Sequence, residues 1–122
     1  KWAGVFRRSD KNIGIDWPQI GIELKVLIDD TNYWIQHKSF PESEIAIRFK
    51  HRLVSIHCFP NGNGRHSRLI ADIMMESIFD KEVFTWNSSS LVKPDKIRKE
   101  YIEALKKADK GNVNPLIQFA EN

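Results

Sequence analysis

The sequence predicts a mostly α-helical fold with a small N-terminal β-hairpin, and three observations lead there. Apolar residues recur at three- and four-residue steps through most of the chain after Pro18. Proline and glycine fall between these periodic stretches as punctuation, and no repeat, low-complexity tract or Gly/Ser-rich linker divides them. The 122 residues, 41% hydrophobic and 29% charged, suffice for one core and no more, so residues 1–122 are expected to form a single domain. The opening Lys1-Trp2-Ala3-Gly4 lacks Met, and the chain is expected to be a fragment lacking N-terminal residues.

The elements follow in order. Val5-Phe6-Arg7 and Ile13-Gly14-Ile15 flank the turn formers Ser9-Asp10-Lys11-Asn12, the pattern of a small hairpin. A first helix is expected from Pro18 to about His37, with Ile20, Leu24, Leu27, Ile28, Tyr33, Trp34 and Ile35 as its apolar set. A second starts near Pro41, favoured by Glu42 and Glu44 at its positive end, carries Ile45, Phe49, Leu53 and Ile56, and stops near Phe59-Pro60. A third runs from about Asn63 to about Phe79 with a stripe of Leu69, Ile70, Ile73, Met74 and Ile78. After a loop from Thr85 to Val92, Pro94 and Asp95 open a fourth helix that turns Ile97, Tyr101, Ala104, Leu105 and Ala108 inward and closes at Gly111. A short helix from Pro115 to Ala120 ends the chain, and Trp2, Trp17, Trp34 and Trp86 are expected to be structural.

Composition narrows the function classes. The single cysteine, Cys58, excludes an internal disulfide, and alternation with its neighbours gives it a packing role. No apolar run reaches the ~18 residues of a membrane helix and the start lacks a secretory pattern, so no membrane partner and a cytoplasmic setting are expected. The fourth helix carries Lys93, Lys96, Arg98, Lys99, Lys106, Lys107 and Lys110, but the interleaved Asp95, Glu100, Glu103 and Asp109 make nucleic acid an unlikely partner. Neither HExxH nor CxxC is present to hold zinc.

The chemistry concentrates between the second and third helices, in His57-Cys58-Phe59-Pro60-Asn61-Gly62-Asn63-Gly64-Arg65-His66-Ser67-Arg68. Two glycines there let backbone N–H groups converge at the positive end of the third helix, a place that favours phosphate. Arg65 and Arg68 share a face of its first turn, where the macrodipole disfavours cations unless an anion is bound; pairing of Arg68 with Asp72 is the alternative. His57 is the best general-base candidate, against the plainer role of a helix-end histidine; His37, His51 and His66 keep the plain role.

This segment resembles the signature of the Fic family, HxFx(D/E)GNGRxxR, matching it at His57, Phe59, Gly62, Asn63, Gly64, Arg65 and Arg68. In overall style the chain is similar to the mobile-element members called mobile mystery protein B. The resemblance implies a Fic-type helical bundle with a β-hairpin flap that transfers AMP from ATP to a Ser, Thr or Tyr hydroxyl of a target protein, releasing pyrophosphate. His57 would then take the hydroxyl proton; Gly62, Asn63 and Gly64 would hold the nucleotide phosphates; and Arg65 and Arg68 would neutralise them. Phe59 would anchor the core. Ile13 and Ile15 of the flap are candidate target-docking residues.

Asn61 departs from the signature, which has Asp or Glu there to bind the Mg2+ that bridges the phosphates. An amide oxygen brings no charge, so weaker metal binding, a metal held mainly by phosphates or a changed reaction is expected. The alternatives to AMP transfer are a nucleotide-binding module without transfer activity and transfer of another phosphate-containing group. Of the family's inhibitory pattern (S/T)xxxE(G/N), the ending Ile117-Gln118-Phe119-Ala120-Glu121-Asn122 keeps only Glu-Asn, which leaves inhibition to a separate inhibitory or antitoxin protein, or to preceding residues.

Overall fold

The fold was obtained as a computed structural model, which describes residues 6–9, 14–87 and 93–122. A 3-10 turn over Trp17–Gln19 leads into α1 (Ile20–His37), followed by α2 (Glu42–Ile56), α3 (Asn63–Ile73), α4 (Pro94–Asp109) and α5 (Asn114–Glu121). All five helices fall where periodicity and proline punctuation put them. α3 continues into a π turn over Met74–Ile78, sealed by Phe79 N–H donating to Met74 O at 3.1 Å.

α2 is the central helix and packs against α1, α3 and α5. It buries Ile45, Ala46, Ile47, Lys50, Leu53 and Ile56, more than one amphipathic stripe. Each large aliphatic among them contributes about 1.5–3 kcal/mol on leaving water. Two apolar clusters result: one joins α2 and α3 to α4 and α5 through Ile45, Ala71, Met74, Ala104 and Leu116, and the other joins α1 to the end of α2 through Ile20, Leu27, Leu53, Ile56 and Cys58.

Three expectations about packing need correction. On α1 the inward stripe is Ile20, Leu27 and Thr31, whereas Ile28 and Tyr33 are exposed, because Ile28 lies about 80° and Tyr33 about 140° around the helix from the centre of that stripe. On α3 the inward residues are Asn63, Ser67 and Ala71, and Leu69, Ile73 and Ile78 face outward. Small side chains let α3 lie close to α2, and residue hydrophobicity alone does not weigh that advantage. Trp17, expected to be structural, is 41% exposed, and Trp2 lies outside the described residues.

The hairpin is the fourth correction: no β-strand occurs among the described residues. The described parts of the two arms bond instead to the end of α2, with Arg7 N–H donating to Cys58 O at 2.9 Å and Ile15 N–H to Ile56 O at 3.5 Å. A helix terminus offers carbonyls that its own ladder cannot satisfy, and here they take the donors a hairpin ladder would use. Residues 10–13, including Ile13, lie outside the described residues.

Beyond the π turn, the chain is fastened by Asp72. Its carboxylate accepts from Phe84 N–H at 3.1 Å and from Trp86 Nε1–H at 3.0 Å, so Asp72 ties residues 84–86 to α3 and is not the partner of Arg68. Asp72→Ala would leave both donors without this acceptor. We expect it to lower unfolding free energy by about 1–3 kcal/mol in urea titrations followed by tryptophan fluorescence; an unchanged midpoint would contradict this role.

Candidate functional site

The site begins where α2 stops. His57 occupies the left-handed region, φ 55°, as the residue that ends the helix. Non-glycine residues hold that conformation only when their surroundings impose it. Here the imposing group is Arg7, 2% exposed, whose guanidinium donates to the carbonyl oxygens of His57 and Ile15, of Ile56 at 3.2 Å and of Ser9 at 2.9 Å. A cation at a helix C-terminus also complements the negative end of the macrodipole.

Gly14 closes the same corner. Its φ is +92°, and a Cβ there would stand 2.6 Å from His57 Cβ, 2.9 Å from the Arg7 guanidinium and 3.0 Å from Ile56 O. Only glycine satisfies both the backbone angle and the lack of space. The segment before α1 is thereby pressed onto His57.

The loop then turns into α3. Asn63 is 6% exposed, and its side chain accepts from Phe59 N–H and donates to Phe59 O, both at 2.9 Å. This reciprocal pair fixes the loop from His57 to Gly62 as a closed turn. Gly62 takes φ 75°, and the first α3 hydrogen bond is His66 N–H to Gly62 O at 3.0 Å, so the amides of Asn63, Gly64 and Arg65 precede the helix ladder. The Phe59 ring sits edge-on to His66 at 4.8 Å and 6.0 Å from Phe6. A Cβ on Gly64 would meet no atom within 4 Å, so packing within the chain does not require glycine there.

Arg65 is exposed and Arg68 half-buried. The Arg68 guanidinium lies over the Tyr101 ring, 5.6 Å from its centroid. Lys50 donates to the Tyr101 phenol. Burial, with Arg68 nearby, lowers the Lys50 pKa to about 7, and burial raises that of Tyr101. Burial also pushes up the Cys58 thiol, which is 2% exposed and therefore a poor nucleophile.

Among the expected site residues, His57, Gly62, Asn63, Gly64, Arg65 and Arg68 lie on one continuous turn between α2 and α3, with Ile15 bonded to the end of α2. Asn61 is exposed on that turn. Among the described residues no group of three His, Cys, Asp or Glu could hold a metal ion, and Asn61 adds one neutral oxygen; this donor set does not fit a magnesium ion held by the protein. Glu121 is exposed at the end of α5, beside a surface hollow of about 990 Å³ that includes Lys38, Phe40 and Phe79. Sequence reasoning missed Arg7, Gly14, Lys50 and Tyr101 as determinants of the site. An arginine in a presumed strand and a lysine in a helix carry no local signal of burial.

Gly14→Ala places a methyl group against His57 at a positive φ. We expect it to cost at least about 1 kcal/mol of stability in urea unfolding and to shift the His57 ring resonances in NMR spectra; a variant with wild-type midpoint and unshifted resonances would show that the contact is not tight.

The chain is similar in sequence and fold to known proteins of one family. A sequence profile of the Fic/DOC family matches residues 4–75. The chain is 28% identical over 121 residues to "Protein adenylyltransferase Fic" of Drosophila mojavensis, covering 96% of this chain and 22% of that protein. Against the protein of the same name from Aedes aegypti it is 28% identical over 120 residues, with the same coverage. The chain thus spans about a fifth of the length of these relatives. The solved structure of a Fic-1 fragment from C. elegans superposes with a TM-score of 0.60 at 26% identity, over 99% of this chain and 32% of that one. With the family profile covering more than half of its residues, this chain belongs to the Fic/DOC family.

Proposed function

We propose that this chain carries a protein adenylyltransferase centre, transferring AMP from ATP to a hydroxyl side chain of a target protein. The observation that carries the reading is one turn of chain joining His57, at the end of α2, to the amides and arginines that open α3. Similarity to relatives named protein adenylyltransferase supports ATP as the substrate and a protein as the acceptor.

The amides of Asn63, Gly64 and Arg65, aligned with the positive end of α3, suit the nucleotide phosphates, and the bare face of Gly64 allows close approach. Arg65 and Arg68 supply the charge that a phosphate chain needs. The Asn63 side chain shapes the loop through Phe59, which leaves its backbone amide as the phosphate donor. His57 accepts the proton of the target hydroxyl as that oxygen bonds to the α-phosphorus; the bond to the bridging oxygen breaks and pyrophosphate leaves with its electron pair. Positioning and fixed positive charge do most of the work in such transfers.

Asn61 favours a second reading, a module that binds nucleotide without transferring AMP or that transfers a different phosphate-containing group. The segment around Ile15 is the proposed docking edge for the target, and a separate inhibitory protein is the proposed regulator.

Label from α-labelled ATP should appear on protein in lysate with the wild-type chain and fall at least ~100-fold with His57→Ala, while ATP affinity stays within about threefold. Equal labelling by both proteins would remove His57 from the mechanism. Asn61→Asp is expected to raise magnesium-dependent transfer, and no response to this change would count against a defective metal ligand as the limitation.

A further inference from the structure

Lys50 has no part in the chemistry above, yet it is the largest fully buried side chain of the fold, at 0% exposure in the middle of α2. A lysine is almost never fully buried without a specific partner. Its partner is Tyr101: Nζ donates to the phenol oxygen and lies 4.7 Å from the ring centroid, with the Trp86 ring at 6.0 Å. The Arg68 guanidinium lies over the same ring, 5.6 Å from its centroid. Three helices thus meet at one side chain: its phenol receives a buried amine from α2, and the second arginine of the loop lies over its ring from α3.

We propose that Lys50 is a positioning residue for the phosphate site: it fixes Tyr101 through its phenol, and the Tyr101 ring holds the Arg68 guanidinium toward the start of α3. The proposal rests on the reading of Arg68 as a phosphate contact. The groups that face Lys50 are Arg68 from α3, Tyr101 from α4 and the neutral Trp86 ring; Asp72, one turn beyond Arg68, is taken by Trp86 and Phe84. Phe119 of α5 packs against Tyr101 in a tilted pair, ring centroids 5.1 Å apart, and adds no charge.

A proton consequence follows. In the absence of an anion, burial and the Arg68 charge both oppose a charged Lys50, which therefore changes protonation near neutrality. A phosphate chain at Arg68 offsets the second of these, so nucleotide binding favours the ammonium. Linkage requires the converse: protonated Lys50 favours nucleotide, and affinity falls as pH rises through about 7.

The test is calorimetric titration of ATP into the wild-type chain, Lys50→Met, Tyr101→Phe and the double variant, in buffers of different ionisation enthalpy and across pH. Titration of the nucleotide itself is common to all four and cancels in the differences. Lys50→Met replaces a buried amine by an apolar chain of similar length, which cores tolerate. The wild type should take up more protons per ATP than Lys50→Met near pH 7, and its affinity advantage of roughly two- to tenfold at about pH 6 should vanish by about pH 8. Tyr101→Phe should weaken ATP in the same way, and the double variant should be no worse than either single one. Superimposable profiles for wild type and Lys50→Met, or effects of the two changes that add, would overturn the proposal. AMP transfer does not enter this measurement: ATP binding with the expected proton uptake but no labelled target would contradict the adenylyltransferase reading alone, and labelled target with superimposable profiles would contradict the Lys50 proposal alone.

Discussion

The end of α2 is the constraint on which the site depends. A helix that stops in the interior leaves carbonyl oxygens facing inward, and each of them needs a donor. Arg7 reaches across from the segment before α1 and with one buried guanidinium serves the Ile56 and His57 carbonyls at the helix end and those of Ser9 and Ile15 in its own segment. That single side chain closes α2, permits the left-handed turn at His57 and ties Ser9 and Ile15 to it. Gly14 is a consequence, since the segment can lie this close to His57 only where no Cβ intervenes.

The other half of the site is held from below. Asn63 ties the loop to Phe59, Phe59 packs on His66, and α3 settles onto α2 through Ser67 and Ala71. The two helices are antiparallel neighbours in sequence, so the negative end of one and the positive end of the other face the same turn. The buried arginine offsets the first, and an anion would offset the second. Charge of both signs is thus set around one short loop without a carboxylate at Asn61.

Most of the helical frame was legible in the sequence because it rests on local rules: Pro18, Pro41, Pro94 and Pro115 at helix starts and Gly111 at a helix end, where Asn112 N–H to Lys107 O and Gly111 N–H to Ala108 O close α4. The loop from His57 to Arg68 was equally legible, since its glycines and arginines form one contiguous pattern. What escaped was decided by tertiary partners. Val5 to Ile15 reads as a hairpin because extended arms flank turn formers, and nothing in those residues announces that the Arg7 and Ile15 amides bond to the end of α2 instead. Lys50 looks like any helical lysine until α3 and α4 close over it. Leu69 and Ile73 look like core, but the smaller Ser67 and Ala71 win the inward face by letting two backbones approach.

The most direct measurement of the central claim is a crystal structure of the protein with a non-hydrolysable ATP analogue. The account places the phosphates against the amides at the start of α3, within reach of Arg65 and Arg68, with the α-phosphorus facing His57. Phosphates seated instead on Lys96, Lys99 and Lys107, which line the groove of about 620 Å³ between α4 and α5, would contradict it.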